Sequence, residues 1–97
     1  MTVGLSKRTE RRIEALFSDA DRATVVRHLE EDCADNIGWS DATPDGLERV
    51  RFAVLKLSAG DLEELISALV LAQTDWRDAL VSAGFGYDPN AHVRWRP

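Results

Sequence analysis

Four residue pairs cut this chain into helix-length pieces and constrain its fold more than any other feature: Thr43-Pro44, Gly60-Asp61, Thr74-Asp75 and Gly84-Phe85. A threonine before a helix offers its side-chain oxygen to a free backbone N–H. Proline at the first helical position costs nothing, because that N–H has no helical partner. Gly60 suits a left-handed stop, and Asp61 starts the next helix with Glu64 three residues on as a capping box. Thr74-Asp75 opens another helix, and Gly84 ends it with Phe85 placed to pack back on Leu80. Between these marks apolar residues recur at helical spacing: Leu47, Val50, Val54 and Leu57, then Leu62, Leu65, Ile66 and Leu69, then Trp76, Ala79, Leu80 and Ala83.

The N-terminal half reads the same way. Ser6 caps a helix running to about Phe17, with Ile13, Leu16 and Phe17 as its apolar face. A second helix starts near Ser18, with Asp21 in the glutamate position of a capping box. Its stripe is Val26, Leu29 and Cys33, with Val25 alongside, and it ends before Gly38. Asp35, Asn36, Gly38, Ser40 and Asp41 mark residues 35–43 as a loop, with Trp39 expected to plug it onto the core and Ser40 or Thr43 to cap the third helix. Val50 to Leu57 has strand-like composition, but its stripe continues on both sides and both ends carry helix signals. From Gly86 onward the helical period is lost. His92, Arg94 and Arg96 alternate with Val93 and Trp95, which predicts a short extended piece. The expectation is an all-α fold: a single domain over residues 1–97, a compact bundle of four or five short helices with an irregular tail from about residue 86.

A chain of 97 residues, 44% hydrophobic and 30% charged, supports one modest core and leaves no room for a large two-lobed enzyme. The net charge of −5 is unevenly spread. Residues 1–12 hold Lys7, Arg8, Arg11 and Arg12 against Glu10, whereas residues 13–48 hold ten acids against Arg22 and Arg27. Such an acidic middle repels phosphate backbones, so only the two ends attract nucleic acid. The single cysteine, Cys33, forms no intrachain disulfide, in keeping with a reducing cytoplasm. The N-terminus lacks an apolar signal core, and the longest apolar run, Ala68 to Ala72, is too short to span a bilayer. A soluble cytoplasmic protein with no membrane partner is expected.

Catalytic motifs fail on geometry. His28-Leu29-Glu30 matches the zinc-deaminase H-x-E, but the required P-C-x-x-C needs a second cysteine. On a helical wheel with Val26 at zero, His28 falls at about 200° and Cys33 at about 340°, so one ion does not reach both. Asp19, Asp21 and Glu30 fit three positions of a calcium loop, yet Thr24 stands where the turn needs glycine. Gly38-Trp39-Ser40-Asp41-Ala42 lacks the second glycine and the preceding strand of a nucleophile elbow. Glu63, Glu64 and Asp75 lie in first turns, where negative charge favours the helix dipole. No catalytic, metal or cofactor residue is assigned, no cofactor is expected, and an enzyme is the less favoured reading.

Two candidate surfaces remain. Phe52 and Leu55 lie opposite the apolar stripe of their helix, and Leu71 falls among Glu63, Glu64 and Ser67. These residues need either a second layer of the same chain or a partner. Burial under the first helix or the tail is the favoured outcome for Phe52 and Leu55; a symmetric dimer is the other. The second surface is a basic patch of Lys7, Arg8, Arg11 and Arg12 at one end and Arg94 and Arg96 at the other. A helix-turn-helix using the third and fourth helices is disfavoured, because Asp61, Glu63 and Glu64 would face the groove. The expected function is a small non-catalytic interaction module, regulatory and self-associating, with a protein partner or itself. The alternative is a nucleic-acid-associated protein using its basic ends. Trp95, between arginines, is expected to be less buried than Trp39 and Trp76.

Overall fold

The punctuation read from the sequence recurs in the backbone. A computed structural model describes residues 5–39 and 42–97, with the side chain of Asp35 excepted. Ser40 and Asp41, and any cap that Ser40 makes, lie outside the described residues, as do residues 1–4. The helices are α1 (Lys7–Leu16), α2 (Asp19–Asp32), α3 (Pro44–Ser58), α4 (Leu62–Thr74), α5 (Trp76–Ser82) and α6 (Ala91–Arg94), with a 3-10 turn at Asp35–Ile37. The described residues form an all-α globule without strands.

Thr43 Oγ1 accepts from the Gly46 N–H, and Pro44 opens α3. Asp61 accepts from the N–H groups of Glu63 and Glu64, but the reciprocal half of the box is absent: the Asp61 N–H donates to Ser58 O at 2.9 Å. Ser18 precedes α2 without a side-chain cap bond. The turn between α3 and α4 enters the left-handed region one residue earlier than expected, at Ala59 (φ 50°), and stays there at Gly60 (φ 83°). A Cβ on Gly60 would lie 2.7 Å from Leu16 O, so this position needs glycine for its backbone angle and for the close approach of α1. Gly84 adopts the expected left-handed stop, and the Phe85 N–H reaches Leu80 O at 2.8 Å.

Helix α3 is the central element and touches α1, α4, α5 and α6. Its buried residues surround the helix: Val50, Phe52, Ala53, Val54 and Leu55 are all inaccessible. A helix apolar all round is a buried helix, and here α4 and α5 cover one side while α1 and the C-terminal segment cover the other. Trp39 packs against the core as expected, half-buried and stacked on Trp76 with ring centroids 3.8 Å apart and planes within 5°, and Ile37, 1% exposed, anchors the same loop more deeply. Two local expectations are corrected. Val25 belongs to the α2 core stripe with Leu29 and Cys33, and Val26 is only half-buried. The C-terminal segment is not extended: α6 lies on α3, its His92 is buried, and Trp95 packs edge-on to Phe52. All three tryptophans are half-buried.

Candidate functional site

The structure separates the two surfaces expected from the sequence. Phe52 and Leu55 do not form an exposed patch: both are 0% exposed. His92 meets the Phe52 ring edge-on at 5.2 Å, and the Arg12 guanidinium lies over it at 4.3 Å. The second face of α3 is thus covered from within the chain. Leu71 is half-buried and packed against the core, which removes the third residue of the expected patch.

The apolar surface left open lies instead on α4. Ile66, expected in the core, is 48% exposed, and Val70, one turn later, is 56% exposed. With Leu69 and Gln73 they line a shallow groove of about 230 Å³ whose other wall is His28 and Asp32 of α2. His28 Nδ1 lies 2.8 Å from Asp32 Oδ2, so His28 is held along α2, away from buried Cys33. The charge beside this groove is acidic: Asp32 is in its wall, and exposed Glu31 and Glu63 lie three residues from His28 and Ile66 on their helices. Tyr87 and Val81 are also exposed, but they belong to α5 and the segment after it.

The basic ends do come together, by a mechanism the sequence concealed. Helix C-termini leave carbonyls without intrahelical donors. In this protein long side chains from neighbouring turns and helices supply those donors. Arg22 donates to Phe17 O and Glu14 O at the end of α1; Arg51 Nε and Gln73 Nε2 donate to Cys33 O and Asp32 O at the end of α2; Lys56 Nζ and Arg49 Nε donate to Ala83 O and Phe85 O after α5. Arg12 serves the C-terminal segment in the same way: its Nη2 donates to Val93 O at 3.1 Å and Trp95 O at 3.0 Å, and its Nη1 to Arg8 O at 3.0 Å. Arg12 is only 5% exposed.

Other members of the basic patch are partly committed. Arg8 pairs with Glu48, and Arg94 with Asp88. Glu48 is itself buried. Burial pushes its carboxyl upward, but hydrogen bonds from Ser6 and Arg8 and the charges of Arg8 and His92 outweigh this and hold it below the usual value. Arg96 Nη1 folds back onto Val93 O and Trp95 O. Lys7 and Arg11 are exposed and have no acceptor among the described residues. The result is a cleft of about 330 Å³ between α1 and the C-terminal segment, lined by Arg8, Arg11, Arg12 and Arg96 with Ala15, Val93 and Pro97. Sequence spacing placed the first three on one helix, but the docking of Arg96 beside them comes from the tertiary contact of Arg12.

Two further groups are set by burial. The Cys33 thiol is pushed up to about 12 by desolvation, which keeps it protonated and poorly nucleophilic. His92 is held below its ordinary value, first by burial and then by the charges of Arg8, Arg49 and Arg12 against Glu48. Among the described residues no three His, Cys, Asp or Glu side chains gather as a metal site, and no helix is long and apolar enough to cross a membrane. Asp19 and Asp21 lie in the first turn of α2 and Glu30 in the same helix, an arrangement with no calcium loop. Comparison with protein-family models, with curated proteins and with solved structures finds no match to this chain.

Proposed function

We propose that this chain is a small non-catalytic interaction module whose recognition surface is the α2–α4 groove. The observation that carries the reading is the pair Ile66 and Val70, one helical turn apart and about half exposed on a helix whose other face is core. Two such side chains beside a groove offer the i, i+4 anchor spacing used when one helix lies against another. The acidic border of Glu31, Asp32 and Glu63 selects the occupant: an amphipathic segment of a partner protein that brings apolar side chains flanked by lysine or arginine. Self-association through Phe52 and Leu55 is no part of this reading, since both are in the core.

A photo-crosslinking residue at position 70, with a control at exposed Lys56, tests it in the native cell. The expected result is one adduct specific to position 70, formed on a partner peptide that carries basic residues and abolished by Ile66→Asp with helicity retained. Adducts equal at both positions, or insensitive to Ile66→Asp, refute the reading. An adduct at twice the mass of the chain assigns the groove to a second copy instead.

A further inference from the structure

We propose that the cleft between α1 and the C-terminal segment is a binding site for a small phosphorylated molecule. Four guanidinium groups line it: Arg8, Arg11, Arg12 and Arg96. Among the described residues only Glu48 pairs with any of them, through Arg8. Among these residues Arg11 has no acceptor, and Arg12 Nε is buried without one. Groups of like charge held this close repel: burial first, and then the charges of Arg96 and Arg8, lower the pKa of the Arg12 guanidinium. An anion in the cleft offsets that repulsion and supplies exposed Arg11 with an acceptor. The guanidinium fork matches phosphate oxygens in pairs, and several forks around one cleft favour a dianionic phosphomonoester over a single-charged group.

The shape argues for a small ligand over a polymer. A cleft of about 330 Å³ is at the lower end for small-molecule sites, and Ala15, Val93 and Pro97 give it an apolar wall for the organic part of the ligand. A nucleic acid would need an extended basic track. Beyond this cleft, residues 13–48 carry ten acids against two arginines, which repel a phosphate backbone. The site is independent of the α2–α4 groove, so failure of either leaves the other standing.

The probes are inorganic phosphate, a nucleoside monophosphate, the matching nucleoside and a single-stranded oligonucleotide, titrated by calorimetry at constant ionic strength. The expected result is saturable 1:1 binding of the monophosphate, tighter than inorganic phosphate, with no binding of the nucleoside. Arg11 is the informative variant, because it is exposed and makes no hydrogen bond, ion pair or ring contact among the described residues. Arg11→Gln should weaken binding about tenfold or more, as expected for loss of a hydrogen bond between charged groups, and leave the melting temperature of the unliganded protein unchanged. Arg96→Gln should act in the same direction. Equal affinity in wild type and Arg11→Gln, or no binding of either phosphate, overturns the proposal. Oligonucleotide binding that tightens with length and exceeds the monophosphate also overturns it, in favour of a nucleic-acid surface.

Discussion

Replacing Arg12 should release the C-terminal segment before it unfolds the rest. Its guanidinium donates to Arg8 O, Val93 O and Trp95 O and covers the Phe52 ring. Two charge-assisted bonds to the C-terminal segment, at about 1.5–3 kcal/mol each, set a nominal loss of roughly 3–6 kcal/mol. The desolvated stack on Phe52 adds about 1–2 kcal/mol. These figures overstate the cost, because the carbonyls of Val93 and Trp95 regain water once the segment lifts away. The loss therefore cannot exceed the docking free energy of α6 and its flanks, which rests on His92, Trp95 and the ring contacts with Phe52 and Phe85. An overall loss of about 2–4 kcal/mol is expected for Arg12→Met, a large share of the roughly 5–15 kcal/mol typical of a domain. Arg12→Lys keeps the charge but not the fork, and should recover less than half of it. Urea titration followed by acrylamide quenching of Trp95, in a Trp39→Phe/Trp76→Phe background, should show the Trp95 transition moving to lower urea than the far-ultraviolet helical signal. Coincident transitions, or an Arg12→Met variant within about 0.5 kcal/mol of wild type, an ordinary surface effect, refute the reasoning.

His92 is held below its ordinary value of 6.5, so the unfolded chain takes up its proton first; the contribution is full above pH 6.5 and is lost as the pH falls through the lower native value, and His92→Gln should flatten that part of the pH–stability curve in urea midpoints. Cys33, buried with its thiol near 12, should resist a disulfide-exchange reagent in the native protein and react stoichiometrically only in denaturant; rapid labelling of the folded chain contradicts the burial. Gly46→Ala would place a Cβ 2.8 Å from Trp39 Cη2 and 3.1 Å from Cζ3, so it should displace Trp39 from Trp76 and abolish the exciton couplet of the stacked indoles in circular dichroism, whatever it gains in helix propensity.

The parts of the fold legible in the sequence were those set by local chemistry. Ser6, Thr43, Asp61 and Asp75 cap helices because a short polar side chain reaches N–H groups two or three residues ahead, and nothing distant is needed. The stripe of α3 was equally plain. What periodicity could not settle was which elements cover a helix that is apolar on two sides: burial under the first helix or the tail is the favoured reading over a dimer for Phe52 and Leu55, and both are buried, with Arg12 of α1 and His92 of α6 on the Phe52 ring. Ile66 departs from expectation, because α4 has apolar residues on more faces than its neighbours can cover. Helix α6 escaped notice because four residues are too few to show a period. The arginines misled for a different reason. Sequence reports their charge but not their acceptors, and Arg12, Arg22, Arg49 and Arg51 spend theirs on backbone carbonyls far along the chain or just behind a turn. The basic cleft is what remains after that service, and its membership is set only by the docked C-terminal segment.

The long reach of Arg12 also orders events during synthesis. Its acceptors Val93 and Trp95 lie 81 and 83 residues further along the chain. At roughly 5–20 residues per second, α1 waits on the order of 4–16 s after it is made before those carbonyls exist. In that interval the face of α3 around Phe52 lacks His92 and Trp95. The nascent chain therefore displays Phe52 without its His92 and Trp95 neighbours and an Arg12 that lacks two of its three carbonyl acceptors. A chaperone or the ribosome surface would meet that pairing only until residue 95 emerges, so stalling the ribosome before Val93 should prolong its exposure.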